Sequence, residues 1–260
     1  DTETVGLIIT QRMDQRAAFG ALVLACNLAA GSAVALAARE PKRPIRVACV
    51  GASITWGLFA TPGSEYPSHL QRLLGDGFQV RNFGKSGTTA LQAGRWRESS
   101  LFRKMDEDAA YSHKKEFADA LAFLPDIVVT QFGANDSKDY NWKPHGKDLS
   151  ADYTVLLEEF KRLSSHPKVY VMEPPPLYND GVYGMNATII NKVLPGKYHV
   201  LAAEAGLSGT VPVFGAFQEH CPLDQAHRHC DWMYIDGCHP NDEGYRQMAR
   251  VVKDVILAGL

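Results

Sequence analysis

Three side chains in this 260-residue sequence are of the types, and stand at the spacing, that make a nucleophile. A serine hydroxyl attacks carbonyls poorly until a base removes its proton. Ser53 emerges in "VGASITWG" where a small, apolar run stops. A base with an orienting carboxylate stands far along the chain, in "YIDGCHPNDEGY". There Asp236 and His239 are three residues apart, so across a tight turn the carboxylate reaches Nδ1, fixes the tautomer and leaves Nε2 for Ser53. Acyl transfer also needs donors for the developing oxyanion. Gly87 in "NFGKSGTTA" offers a backbone N–H that a substrate can approach closely. Asn135 in "QFGANDS" offers a side-chain amide, and the Ser53 N–H is a third donor. Taken singly, each residue has a blander role: a strand-end cap, a structural imidazole, a turn glycine, a loop asparagine.

The elements that must position these residues alternate along the chain. "IRVACVGAS", "FQVRNFG", "DIVVTQFGAND", "KVYVMEPPP" and "TVPVFGAF" read as strands. Between them, "EYPSHLQRLLGDG" has helical spacing at Tyr66, Leu70, Leu73 and Leu74, and residues 88–124 read as mostly helical. "SADYTVLLEEFKRLSSHP" reads as a helix capped by Ser150. "ATIINKVLPGKYHVLAAEAG" reads as a helix bent at Pro195, and "NDEGYRQMARVVKDVILAGL" as the last helix. Continuous apolar strands alternating with helices predict an α/β protein, a parallel sheet covered on both faces. Ligands of such sheets bind beyond the carboxyl ends of the strands. Those ends are Gly51–Ser53, Phe83–Gly87, Gly133–Asn135 and the loop after Met172, and the candidate residues fall at them in order.

With these four stretches in view, the chain resembles the SGNH/GDSL hydrolase superfamily. "GASIT" resembles its first block, "NFGKSGTT" the second, "GAND" the third and "DGCHPN" the last, across about residues 45–258. The resemblance implies a three-layer α/β/α flavodoxin-like fold on a five-stranded parallel sheet and hydrolysis of esters without metal or cofactor. It implies Ser53 as nucleophile, Asp236 and His239 completing a triad, and Ser53, Gly87 and Asn135 as the oxyanion hole. Ala52 stands where the family name has Asp, which removes no catalytic group. "MEPPPLYNDGVYGMNATIINKVLP" and "SEYPSHLQRLLG" resemble, more softly, carbohydrate (sialate) O-acetylesterase-like members. Trp56, Phe59, Tyr66, Trp96, Trp142, Tyr178 and Tyr183 lie near the forecast site as candidate sugar platforms or packing residues. A short acyl group, acetyl, is expected in the absence of a long apolar lid. A lipase, a thioesterase and an acetyltransferase share these residues and stay open, as does a catalytically silent carbohydrate-binding protein on the same fold.

Composition bounds the partners. Hydrophobic residues are 45% and charged residues 22%, with net charge -2. No long like-charge run asks for nucleic acid or an anionic membrane. The expected partner is a small-molecule or glycan ester, without stable membrane insertion of the mature chain. Residues 1–40 read as an N-terminal extension and signal peptide, with residues 41–260 as the catalytic domain. Within 13–38 a basic start, an apolar middle and an "ALA" near 37–38 describe an export signal, which places the mature chain outside the cytoplasm. Export permits disulfides. Of Cys26, Cys49, Cys221, Cys230 and Cys238, a Cys221–Cys230 bond would close a loop of about ten residues, worth roughly 2–3 kcal/mol, but the pairing stays open. Asn186-Ala-Thr188 is a glycosylation sequon. His220, Cys221, His227, His229, Cys230, Asp236, Cys238 and His239 are zinc-ligand types, yet their spacings fit no standard finger.

Overall fold

A computed structural model describes residues 43–99, 104–224 and 230–260. The expected signal segment, His227 and His229 lie outside the described residues. The sheet is formed by β1 (Ile45–Gly51), β2 (Phe78–Gly84), β5 (Ile127–Gln131), β6 (Lys168–Met172) and β7 (Gly209–Val211). All four strand pairs are parallel, in the order β2-β1-β5-β6-β7. This is the expected five-stranded α/β architecture.

Strand alternation sends successive side chains to opposite faces, and both faces are buried. Ala48, Val50, Val128, Val169 and Val171 share one core with Phe117, Tyr153, Phe160, Tyr198 and Leu201. These helical residues come from α3 (Lys115–Ala122), α5 (Leu149–Lys161) and α6 (Leu194–Glu204). Val47, Cys49, Val129, Tyr170 and Met172 share the other core with Tyr66, Leu70, Phe217, Tyr245, Met248 and Val252. Those come from α2 (Tyr66–Leu74), α7 (Val213–His220) and α8 (Asp242–Ala258). Helix α8 shows how sequence makes such a layer. Tyr245, Met248, Ala249, Val252 and Ile256 recur at helical spacing and are all buried. Asn241 caps the helix by accepting the Gly244 N–H at 3.0 Å. No described helix is long and apolar enough to cross a membrane.

Four expectations are corrected. Residues 88–124 are not mostly helical: an antiparallel hairpin of β3 (Arg95–Ser99) and β4 (Lys104–Asp108) precedes α3. Its strands are rich in charge and carry no apolar alternation, because the hairpin stands outside the main sheet. The fifth strand ends at Val211 and Val213 begins α7; Pro212 has no N–H to extend the ladder. Ser150 does not cap α5, which starts at Leu149; its hydroxyl instead accepts from Lys197 Nζ at 3.2 Å. The segment before Pro195 is a π-turn, Ile189–Val193, and α6 begins at Leu194, with the proline in its first turn.

Candidate active site

Strand order reverses between β1 and β5, so the connections leaving these neighbours diverge and open a crevice at their carboxyl ends. Ser53 follows β1 on a four-residue helix, α1 (Ser53–Trp56), and Asn135 follows β5. The turn into α1 is tight. A Cβ on Gly51 would collide with the Thr55 hydroxyl and the Gln131 carbonyl. The first helical turn leaves the Ser53 N–H without an intrahelical acceptor.

His239 comes from the other end of the chain. Its turn is closed by Tyr234 N–H donating to the His239 carbonyl at 2.8 Å and Gly237 N–H donating to the Tyr234 carbonyl at 2.9 Å. Gly237 adopts φ 65°, a left-handed conformation that favours glycine. The imidazole is buried, with Nε2 2.9 Å from Ser53 Oγ and Nδ1 2.6 Å from Asp236 Oδ2. Asp236 Oδ1 accepts the backbone N–H groups of Cys238 at 2.9 Å and His239 at 3.0 Å. Burial opposes ionisation of Asp236. The His239 side chain, followed by these backbone donors, outweighs it and holds the carboxyl below the ordinary range.

Two aromatic rings fix the imidazole from its sides. Phe59 meets His239 edge-on at 5.4 Å and stacks on Tyr234 at 4.2 Å. Tyr183 meets it at 5.9 Å, and its hydroxyl donates to Asp236 Oδ2 at 3.3 Å. Phe59 and Tyr183 both have left-handed φ, 66° and 52°, which non-glycine residues adopt at a cost.

Ser53, Gly87, Asn135 and His239 line one cavity of about 460 Å³, within the range of small-molecule sites. Gly87 has φ 85°, and a Cβ there would stand 3.0 Å from Trp96 Cε3. Asn135 Nδ2 spends one hydrogen on the Thr88 carbonyl at 3.0 Å, leaving its second for a ligand. The Asn135 carbonyl accepts from Asn141 Nδ2 at 3.0 Å. All five sequence-predicted residues are therefore brought to one place.

Of the seven candidate aromatics, Phe59, Trp96 and Tyr183 line this cavity. Trp56 is exposed, Tyr66 is buried at the start of α2, and Trp142 and Tyr178 pack against the two cores. Among the alternative metal ligands, Cys221 is bonded to Cys230, so it offers no thiolate. His220 Nε2 meets Asp231 Oδ1 at 2.7 Å.

Sequence reasoning missed Asp136 and Lys138. Asp136 Oδ1 accepts the Leu91 N–H and Oδ2 the Gly133 N–H, both at 2.9 Å, bracing the loops around Asn135. Lys138 is 2% exposed and lines the cavity beside Asn135. Burial lowers its ammonium to about 8. The available signal was position: Asp136 ends the "GAND" stretch and Lys138 follows two residues later.

Comparison with known proteins follows the same lines. Residues 49–247 match the model of the "GDSL-like Lipase/Acylhydrolase family". The chain is 29% identical over 231 residues to an acetylxylan esterase of Xylanibacter ruminicola, covering 82% of this chain and 43% of that protein. It thus spans less than half the length of that curated relative. Among solved structures, an acetyl xylan esterase superposes with TM-score 0.60 at 18% identity, covering 82% of this chain and 100% of that one. A carbohydrate acetylesterase family member from Sinorhizobium meliloti superposes with TM-score 0.57 at 20% identity, covering 83% and 99%. At these identities the superpositions speak to the fold alone.

Proposed function

The chain belongs to the GDSL-like lipase/acylhydrolase family, and from that premise we propose that it is an exported serine esterase removing short acyl groups, chiefly acetyl, from carbohydrate. One observation carries the reading: the unbroken chain from Ser53 Oγ through His239 to Asp236, at 2.9 and 2.6 Å. Ser53 Oγ attacks the ester carbonyl while His239 Nε2 takes its proton. Asp236 holds the imidazole in the tautomer with Nδ1 protonated and stabilises the imidazolium. The Ser53 and Gly87 N–H groups and Asn135 Nδ2 receive the oxyanion. As the tetrahedral intermediate collapses, His239 gives its proton to the departing sugar oxygen. Water, deprotonated by the same imidazole, then releases the acid and restores Ser53.

The carbohydrate substrate is supported by the likeness to the acetylxylan esterase. It is also supported by Trp96 and Tyr183 in the cavity wall, where aromatic faces suit sugar rings. Export is supported by the disulfide Cys221–Cys230, a bond that persists in oxidising compartments. The test is turnover of p-nitrophenyl acetate, acetylated xylan and a long-chain p-nitrophenyl ester by the wild type and Ser53→Ala. Acetyl esters are turned over and Ser53→Ala abolishes this with the fold retained. Full activity in the variant overturns the nucleophile, preference for the long chain makes the protein a lipase, and no turnover of any ester makes it a binder.

A further inference from the structure

We propose that Lys138 is a specificity-determining residue that receives a carboxylate on the sugar carrying the ester, so that the preferred substrates are acetylated acidic glycan units. The proposal rests on the esterase reading and deepens it.

Lysine is rarely buried unless paired. Lys138 is 2% exposed, and among the described residues no carboxylate lies within salt-bridge distance of its Nζ. Its cation–π partner is the ring of Trp96, whose centroid lies 3.8 Å away. The ring face offsets part of the cost of removing an ammonium from water. It satisfies none of the three N–H donors directionally. Lys114 and Lys161, by contrast, reach Asp108 and Glu158 at 3.2 and 2.7 Å.

The cavity holds two other charged side chains, Arg97 and Glu98. Arg97 is engaged by Asp106 at 3.3 Å and lies over the Tyr140 ring. Glu98 lies on the exposed hairpin rim and makes no ion pair with Lys138. Lys138 is therefore left as a cation facing the space that Ser53 and Asn135 also face.

Its backbone is fixed. Lys138 N–H donates to the Asn135 carbonyl at 3.4 Å, and its own carbonyl accepts the N–H groups of Asn141 and Trp142 at 2.8 Å. A group bound at Nζ is thus held at a set offset from Asn135. A neutral sugar hydroxyl would supply an acceptor without the opposing charge, whereas a carboxylate supplies both.

The experiment compares kcat/KM for two substrates differing only in the carboxylate: a mono-O-acetyl methyl glucuronoside and the matching methyl glucoside. The wild type favours the acidic ester by about tenfold or more, the scale of one charge-assisted hydrogen bond. Lys138→Met brings the ratio close to one, and Lys138→Arg keeps a preference. A wild-type ratio near one, or a ratio unchanged in Lys138→Met, overturns the proposal. So does an equal fall on both substrates, which would assign Lys138 to the oxyanion instead.

If Lys138→Met does not fold, the wild type decides alone. Because burial lowers the Lys138 ammonium to about 8, the ratio falls between pH 7 and 9 as the charge is lost; a flat ratio overturns the proposal. The groups facing this region are Arg97 and Glu98 from the hairpin, Tyr183, and Asp236, Cys238 and His239 from the turn before α8. Burial pushes the Cys238 thiol well up, leaving it neutral over this range. Contributions of Asp236 and His239 to the chemistry are common to both substrates and cancel in the ratio. Hydrolysis of p-nitrophenyl acetate by the wild type separates the two failures: without it the esterase reading fails, and with it a ratio of one fails Lys138 alone.

Discussion

Asp242 grips Thr61 at two points, accepting its N–H at 2.8 Å and its hydroxyl at 2.6 Å. Thr61 lies just past Ser53, and Asp242 opens the helix that follows His239, so this contact ties the segment carrying Ser53 to the segment carrying His239. A second tie runs from the Tyr245 hydroxyl to the Leu58 carbonyl at 2.8 Å. Asp242→Ala should cost about 1–2 kcal/mol for two partly exposed charge-assisted bonds, read as a lower melting temperature. Tyr245→Phe should lower kcat more than it raises KM, because it loosens the alignment of Ser53 with His239 while leaving the cavity walls in place.

Asp236→Asn should retain the fold and lower kcat by roughly 10³–10⁴, since an amide favours the wrong imidazole tautomer. The pH dependence has a definite sign. The folded-state carboxyl lies below its unfolded value, so its contribution to stability is present above the ordinary carboxylate pKa of about 3.9 and is lost as pH falls through the lower folded value. Urea unfolding of wild type and Asp236→Asn from pH 6 down to pH 2 should show the gap between them closing at the acid end.

Asn135→Ala should reduce kcat by about 10²–10³ with a smaller change in KM, as expected for a donor acting on the transition state. Gly87→Ala should lower kcat/KM for a different reason. At φ 85° the new methyl is strained and presses on the Trp96 ring. Intrinsic fluorescence should shift in Gly87→Ala and not in Asn135→Ala.

Native Cys49 and Cys238 should resist alkylation. Both are buried, and burial pushes Cys49 up to about 12 and Cys238 well above the usual thiol range. Peptide mapping after iodoacetamide treatment should find both modified only after unfolding. Reducing Cys221–Cys230 should cost about 2–3 kcal/mol by releasing the loop it closes, measured as a lower melting temperature in reductant.

The sheet was legible because its central strands are buried on both faces. Runs such as Val47–Val50 and Ile127–Val129 leave no polar alternation to confuse them with surface strands. Asp236 and His239 were legible because one short turn sets their relation. The β3–β4 hairpin was not, since its pairing is made by backbone groups under side chains such as Arg95, Arg97, Asp106 and Glu107. Tyr66 and Trp142 stood as candidate platforms or packing residues and are packing, a choice left open because aromatic type does not reveal which way a ring turns. Lys138 gave no periodic signal; its character comes from Trp96, brought over it by that same hairpin.

The order of synthesis gives the wide separation of Ser53 and His239, 186 positions, a consequence for the growing polypeptide. The proposed nucleophile leaves the ribosome well before its proposed base, which is followed by the helix whose tyrosine secures Leu58. A nascent chain that carries every strand of the sheet still lacks His239, so the proposed catalytic arrangement is incomplete until that turn and α8 have been made.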